Sequence, residues 1–208
     1  MTAKENLLTR ALLIMSLAGY SHLAVASERA DLIVAQDGSG DFTTIQAAID
    51  TAPNNAAKHF VILIKKGTYN EKLFIEKNYI ALVGEDRDST IVVISLLRDD
   101  WRIDHPDDWG VATINIGNGV TNLVLANLTV KNNFAELYPD DPRKTSHCMA
   151  IRGGGDRVII VNCKVITGGG DTLSLWSERS AGVSNQYHRD QLHARHTFAQ
   201  YRLLLANR

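Results

Sequence analysis

The chain has 208 residues and a formal net charge of −1, with 45% hydrophobic and 22% charged residues. This composition is typical of a globular domain with a hydrophobic core, and the balanced charge argues against nucleic acid or an anionic membrane surface as a partner. The two cysteines, Cys148 and Cys163, are too few for a disulfide framework. Both lie in apolar runs, where we expect buried core residues.

The first 26 residues predict a secretory signal peptide. Lys4 and Arg10 precede an apolar run at 11–18, and the small residues AVA at 24–26 form a cleavage site. The apolar run is too short to cross a bilayer core. The alternative interpretation is an amphipathic N-terminal helix. Cleavage would release the protein to the periplasm or the extracellular space, where extracellular polymers become plausible substrates, and would leave no membrane contact.

The segment FTTIQAAIDTAP, residues 42–53, is the clearest helix pattern. Its apolar residues fall on one helical face: Ile45, Ala48, Ile49 and Ala52. Asp41 or Thr43 can cap the start of this helix, and Pro53 follows its end.

Beyond this helix, short apolar runs separated by Gly, Asn and Asp predict β-strands. The runs are FVILI (60–64), YIALVG (79–84), TIVVI (90–94), ATINI (112–116), NLVLANLTV (122–130) and RVIIVNCKVI (157–166). Several are apolar without alternation, as strands buried on both faces are. Hairpin dipeptides are nearly absent, which disfavours the competing architecture, an antiparallel sandwich.

Two of these runs echo one another. LVLANLTV and VIIVNCKV place Asn127 and Asn162 in the same position of a similar apolar pattern. In a parallel β-helix, successive coils stack like residues on like, and an asparagine at a bend can bond the next coil. We therefore predict an all-β fold, a single-stranded right-handed parallel β-helix. The early helix is expected to cap its open end and cover the exposed strand edge.

The sequence changes character after Trp176. Residues 177–208 are rich in histidine and arginine and lack β-branched runs and turn spacing. A weak helical pattern at 198–205 is one interpretation of this atypical tail. The other is that a frameshift or a premature end has replaced the continuation of the fold.

Three segments resemble the pectinesterase family, in the family's order and spacing. They are VAQDGSGDFTTIQAAIDTAP (34–53), IKKGTYNEKLFI (64–75) and HCMAIRGGGDRVIIVNCKVITGGGDTLSLW (147–176). The first is similar to the family's Asp-Gly-Ser-Gly entry segment, the second carries its Gly-x-Tyr-x-Glu motif, and the third follows its Gln-Ala-Val-Ala-Leu, Gly-Asp-Arg and Gln-Asp-Thr-Leu series. The resemblance, over residues 34–176, implies a secreted, monomeric β-helix that hydrolyses methyl esters of pectin (polygalacturonate) without metal or organic cofactor. Residues 27–176 would form the N-terminal part of the family domain.

By this resemblance, Asp171 stands where the family keeps its acid/base aspartate. Such a residue gives a proton to departing methanol and later takes one from water. Its carboxyl must be protonated near neutral pH, which a neighbouring carboxylate and partial burial can bring about. The three glycines before it would let a polymer come close. Without the resemblance, an aspartate after Gly-Gly-Gly is interpreted as a turn or capping residue.

Three further positions are carried over as substrate-binding residues. Thr113 stands at the family's substrate-contacting threonine; the alternative is an ordinary strand threonine. His147 and Gly170 replace the glutamines of the Gln-Ala-Val-Ala-Leu and Gln-Asp-Thr-Leu series. Glutamine amides there would hydrogen-bond the developing oxyanion and the substrate. His147 can substitute as a donor, whereas Gly170 offers only its backbone N–H.

The resemblance also implies parts that this sequence does not match. The family's nucleophilic aspartate, in an Asp-Phe-x-Phe-Gly stretch, should follow the first aspartate. The acid nearest that distance is Asp190, in YHRDQLH, which lacks the apolar strand context. We interpret its position as coincidence. The family's later arginine and tryptophan would lie past Arg208. We therefore expect a truncated fold with little or no activity.

The segment RDDWRIDHPDDWG, residues 98–110, leaves three interpretations open. It can be a sugar-stacking lip, a calcium site or an acidic solvated loop with a partly buried tryptophan. Two rival functions accompany the enzyme hypothesis. One is a non-catalytic polysaccharide-binding β-helix that contacts pectin through Trp101, Trp109 or Trp176. The other is an esterase or thioesterase of the same fold acting on another ester.

Overall fold

The computed structural model describes residues 30–176 and 202–204. The predicted signal peptide, residues 1–26, and all but three residues of the predicted tail, 177–208, lie outside these residues. The three tail residues that are described, Arg202–Leu204, form a strand. The weak helical pattern at 198–205 was therefore a wrong prediction at these positions.

The described chain is dominated by short strands. In chain order its elements are β1 (Leu32–Val34), α1 (Ile45–Thr51), β2 (Phe60–Ile64), β3 (Gly67–Tyr69), β4 (Leu73–Ile75), β5 (Ile80–Gly84), β6 (Thr90–Ile94), α2 (Arg98–Trp101), β7 (Ile114–Ala126), β8 (Thr129–Asn132), α3 (Phe134–Leu137), β9 (Ile151–Val161), β10 (Lys164–Thr167), β11 (Leu173–Trp176) and β12 (Arg202–Leu204). Each apolar run expected to be a strand contains one, so the strand predictions are confirmed. Among the described residues, every helix is too short to cross a membrane.

The strands wind into stacked coils. One sheet has the order β1-β2-β5-β7-β9-β11, with β4 also on β7 and β12 also on β9, and the other has the order β10-β8-β6-β3. Neighbours in each sheet come from successive coils and run parallel, apart from the antiparallel β12–β9 pair. This is a parallel β-helix, as predicted, and the antiparallel sandwich was wrong.

Two long strands turn the corner between coils. In β7, Ile114–Ile116 pair with β4 and Val124–Ala126 pair with β5. β9 lies along the whole of β7 in the next coil. Loops 95–113, 133–150 and 168–172 consequently lead from the smaller sheet back to the larger one in three successive coils. They lie beside one another along one edge of the β-helix, here called the loop edge.

The core consists of rows of like residues stacked from coil to coil. One row runs through Ile62, Leu82, Leu125 and Ile160, which pair in register and are 0–1% exposed. Burying each such side chain stabilises the fold by about 1.5–3 kcal/mol relative to leaving it in water. The register is therefore fixed by the core, because a one-residue slip would turn every row outward.

The two echoing asparagines also stack. Asn127 and Asn162 have φ values of 58° and 50°, a left-handed conformation that asparagine adopts at little cost. The Asn162 side-chain amide donates to Asn127 Oδ1 over 2.7 Å, and the Asn127 amide donates to the Gly84 carbonyl over 2.7 Å. The predicted stacking of the two runs is confirmed, and the amides form a ladder across three coils.

Helix α1 packs against β1, β2 and β4 through its apolar face, as the prediction of a capping helix requires. Its capping residue differs from the prediction. Glu71 accepts the N–H groups of Ile45 and Gln46 over 2.9 and 3.0 Å, which satisfies two of the unpaired donors at a helix start. Asp41 instead accepts an N–H of β1 over 2.8 Å. Neither of the predicted caps, Asp41 or Thr43, performs this function.

The Gly-x-Tyr-x-Glu motif is explained by the same contacts. Tyr69 is 1% exposed and its hydroxyl donates to the Lys65 carbonyl over 2.9 Å. Burial raises the pKa of Tyr69 to about 12. Because Glu71 caps α1 and Tyr69 fills the core, this motif holds the first coil together.

Candidate active site

Asp171 lies on the loop edge, between Gly168–Gly170 and strand β11. Its φ is 57°, a left-handed conformation in which aspartate is one of the few tolerated side chains. This turn starts the return from the smaller sheet to the larger one and carries the carboxylate to the rim. Its side chain is 21% exposed.

The partner of Asp171 comes from the preceding coil. His147 and Gly170 form a parallel bridge, so the two coils are aligned where these side chains start. The His147 Nδ1 and Asp171 Oδ2 atoms are 2.6 Å apart and hydrogen-bonded, with the donor set by the tautomer of the ring. The imidazole is 46% exposed. A second carboxylate was expected beside Asp171, and the hydrogen-bonded neighbour in the described structure is an imidazole.

The glycines before Asp171 let two coils pack closely. A Cβ atom at Gly169 would lie 1.8 Å from the Ser146 carbonyl oxygen, whereas one at Gly170 would come no nearer than 3.9 Å, to His147 Nδ1. The Gly170 N–H donates to the same Ser146 carbonyl over 3.1 Å. The close approach at Gly169 is thus to the chain itself and not to a polymer. The binding role of Gly170 stays a prediction, and its N–H would first have to leave Ser146.

Thr113 lies inside the β-helix. It is 0% exposed, and its hydroxyl donates to the Lys131 carbonyl over 2.9 Å. This is the environment of an ordinary strand threonine. The substrate contact of Thr113 stays a prediction that would require the side chain to become accessible.

An arginine cluster that the sequence reasoning missed lies beside this pair. Asp108 is 8% exposed and is bound by Arg98 Nη2 over 2.9 Å, by Arg102 Nε over 2.7 Å and, more distantly, by Arg152 Nη2 over 3.4 Å. Burial raises the pKa of Asp108, but the hydrogen bonds from Arg98 and Arg102 outweigh that effect and leave the pKa at about 2. The spacing of Arg98 and Arg102, one helical turn apart around α2, was the available sequence signal.

The cluster is connected to the histidine. The Arg98 backbone N–H donates to the His147 carbonyl over 3.0 Å. The pKa of Arg98 is raised, chiefly by its hydrogen bonds to Asp108 and further by the charge of Asp171. Loop 95–113 therefore supplies both a main-chain anchor for His147 and a positive charge close to Asp171.

The acidic segment 98–110 is not a solvated loop throughout, because its Asp108 is buried among arginines. Trp101 is covered on both faces, by the stacked His105 ring at 3.4 Å and by Lys72 Nζ at 3.6 Å from the indole centroid. Trp109 is 36% exposed and has its ring against Phe74. Of the tryptophans with described side chains, Trp109 is the one whose indole can meet a sugar. The Trp176 side chain lies outside the described part.

Metal ligands do not converge in the described part of the chain. Within residues 30–176, no three histidine, cysteine, aspartate or glutamate side chains lie together as a metal site would require. The calcium interpretation of segment 98–110 therefore has no ligand cluster to support it.

The fold places the chain among the parallel β-helix proteins. The family follows from comparison with known sequences. The pectinesterase family profile matches residues 31–191. Probable pectinesterase 56 of Arabidopsis thaliana is 35% identical over 165 residues, which cover 78% of this chain and 50% of that relative. The chain belongs to the pectinesterase family.

Solved structures agree with this assignment. Pectin methylesterase PemA from Erwinia chrysanthemi superposes with a TM-score of 0.54 at 27% identity, over 71% of this chain and 45% of its own. A pectin methylesterase in complex with a hexasaccharide gives a TM-score of 0.56 at 27% identity, with the same coverage. The chain thus spans half of the Arabidopsis relative and less than half of these two proteins. The family match extends past Trp176 and includes Asp190, which lies outside the described residues.

Proposed function

We propose that this chain hydrolyses methyl esters of polygalacturonate, releasing methanol from pectin. One observation carries the proposal: the Asp171 carboxylate, at the family's acid/base position, reaches the loop edge and is hydrogen-bonded to a histidine that can exchange protons. The competing expectation, little or no activity, rested on the unmatched second aspartate and the unmatched arginine. The same experiment tests both statements.

The arginine cluster supports an anionic polymer as the substrate. Arg98 and Arg102 each bind Asp108, yet their side chains remain 24% and 46% exposed. Guanidinium groups bind carboxylates in a fixed geometry. Pectin offers free galacturonate carboxylates between its methyl esters, and the exposed parts of the Arg98 and Arg102 guanidinium groups can bind such carboxylates.

Methanol release from highly methylated pectin is the direct test. We expect the purified chain to release methanol, and Asp171→Ala to lower the rate by about 100-fold or more, the range for loss of an acid/base group. Asp140→Asn, at an exposed position of loop 133–150, is the matched control and should keep the wild-type rate. A wild-type chain without methanol release would overturn the proposal, and hydrolysis of small esters alone would favour the alternative esterase or thioesterase.

A second candidate, polysaccharide binding without turnover, is favoured by the exposed indole of Trp109. Binding of this kind would retain the chain on a pectin affinity gel, and Trp109→Ala would abolish the retention. Retention without methanol release would select this candidate.

We also propose that the protein acts outside the cytoplasm, on the basis of the signal pattern at 1–26. N-terminal sequencing of protein collected outside the cytoplasm should begin at Ser27. A sequence that begins at Met1 would contradict this.

A further inference from the structure

We propose that Asn118 is a site of spontaneous deamidation and that the folded chain leaves it open to reaction. Asn118-Gly119 is the one Asn-Gly dipeptide of the sequence. Asparagine is especially reactive before glycine, because glycine has no Cβ to hinder attack by its own backbone nitrogen on the asparagine side chain. This chemistry makes the dipeptide reactive in an unfolded chain, so the question for the folded protein is whether the β-helix protects it.

The dipeptide lies in a bulge of β7. Ile116 and Val120 both pair with β9, and the register shifts between them, so that residues 117–119 stand opposite a single residue of β9. On the other side of β7, pairing with β4 ends at Ile116 and pairing with β5 begins at Val124. A bulge leaves its extra residues outside the regular ladder of hydrogen bonds. The backbone of the dipeptide therefore has no register partner in either neighbouring coil.

The surroundings of the dipeptide are open. Asn118 and Gly119 are exposed, whereas the flanking residues Gly117 and Val120 are buried. Gly119 has a φ of 80°, and a Cβ atom built on it would meet nothing within 4 Å. Within residues 30–176, no hydrogen bond or ion pair engages the Asn118 amide. The carboxamide is consequently free to turn towards the Gly119 nitrogen, and water can reach both.

Other asparagines of the described chain are protected by their contacts or by the residue that follows. Asn127 and Asn162 also have a left-handed backbone, but their amides donate within the asparagine ladder, to the Gly84 carbonyl and to Asn127 Oδ1. Asn55 and Asn70 are exposed, but the residue after each carries a Cβ atom. Asn118 combines an exposed and unbound amide with a following glycine, so it should react before these asparagines.

The reaction needs water and no other reactant. The Gly119 backbone nitrogen gives up its proton and bonds to Asn118 Cγ, the bond from Cγ to the side-chain nitrogen breaks, and that nitrogen leaves as ammonia with the proton. The product is a five-membered succinimide ring. Water then adds to one of the two ring carbonyl carbons and opens the ring to aspartate or isoaspartate. One water molecule is consumed, one ammonia is released, and the chain gains one negative charge.

The bulge can also accommodate the product. Isoaspartate adds one carbon atom to the backbone, which inside a regular ladder would shift every residue that follows. Here the added atom falls among residues that are already outside the ladder. Ile116 and Val120, on either side, are 1% and 2% exposed and anchor the strand in the core. We therefore expect the deamidated chain to stay folded, and Asn118→Asp, which carries the new charge, to unfold at the wild-type urea concentration.

The experiment incubates the full chain at mildly alkaline pH, with and without urea, and follows deamidation of each asparagine by peptide mass spectrometry. In the folded chain, Asn118 should react before Asn55 and Asn70. Its rate should lie within about 10-fold of its rate in urea, a factor that corresponds to about 1.4 kcal/mol in the barrier. A rate in the folded chain that is lower by more than this factor would show that the bulge protects Asn118 and would overturn the proposal.

Native ion exchange gives an independent measurement on intact protein. The wild type should accumulate a more acidic species at the rate at which the Asn118 peptide deamidates. Asn118→Gln is the matched control, because it keeps an amide but closes the corresponding larger ring far more slowly, and this variant should accumulate the species much more slowly. An acidic species that forms equally fast in Asn118→Gln would place the reaction elsewhere in the chain and would overturn the assignment.

Discussion

Replacing Asp108 with asparagine tests the arginine cluster as a stabilising unit. The Asp108 pKa of about 2, against an ordinary 3.8, corresponds to about 2 kcal/mol of preferential stabilisation of the charged form in the folded state. Truncating one partner of a buried ion pair costs about 3–5 kcal/mol, and the partial exposure of Arg98 and Arg102 reduces that figure. We predict that Asp108→Asn lowers the free energy of unfolding by about 2–3 kcal/mol near neutral pH.

The pH dependence has a definite sign. The Asp108 pKa is lower in the folded chain than in the unfolded one, so its stabilisation is complete above the unfolded value of about 4 and is lost as the pH falls through about 2. The stability difference between wild type and Asp108→Asn should be constant from about pH 7 to about pH 5. It should shrink by about 2 kcal/mol as the pH approaches 2.

Urea unfolding followed by circular dichroism at several pH values provides the assay. Asp104→Asn, at an exposed position of the same loop, is the control for a lost negative charge and should match the wild type. If Asp108→Asn is as stable as the wild type near neutral pH, or if the difference does not change with pH, the reasoning that the buried charge stabilises this loop is wrong.

Two further predictions follow from backbone packing and burial. Gly169→Ala should destabilise the fold by about 1–3 kcal/mol or more, because its Cβ would lie 1.8 Å from the Ser146 carbonyl oxygen. Gly170→Ala is the control: its Cβ would meet nothing closer than 3.9 Å, so this variant should unfold at nearly the wild-type urea concentration. Equal effects of the two substitutions would contradict the assigned contact. Burial raises the pKa of Cys148 and of Cys163 to about 11. Neither thiol should therefore react with a disulfide reagent in the folded chain at mildly alkaline pH, and both should react in urea. Rapid reaction without urea would show that the thiols are accessible and would contradict this prediction.

Local pattern was sufficient for the strands and for their stacking. The runs FVILI and TIVVI are apolar without alternation, which indicates strands buried on both faces. This signal is local and can be read from the sequence alone. The echo of Asn127 in Asn162 indicated the stacking because coils superpose like residues. These are repeating features, which a single sequence displays directly.

The side-chain partners could not be read from local pattern, because they depend on register between coils. Glu71 caps a helix that starts 26 residues before it, and no local capping rule reaches that far. In the sequence Asp108 is one of several acids in a polar segment. In the structure it is bound by the two arginines around α2 and by Arg152 of the following coil. His147 and Asp171 are separated by 24 residues, and only the bridge between their coils brings them together.

That separation has a consequence for how the site responds to stress. Asp171 and His147 belong to different coils, so the hydrogen bond between them exists only while β11 remains paired with β9. Coils of stacked architectures interact with their nearest neighbours and can detach singly. Detachment of this coil would break the His147–Asp171 hydrogen bond while the buried row that includes Ile62 and Leu82 remained packed. The His147 ring resonance is therefore a built-in reporter of partial opening, and the temperature of its disappearance should lie below that of global unfolding.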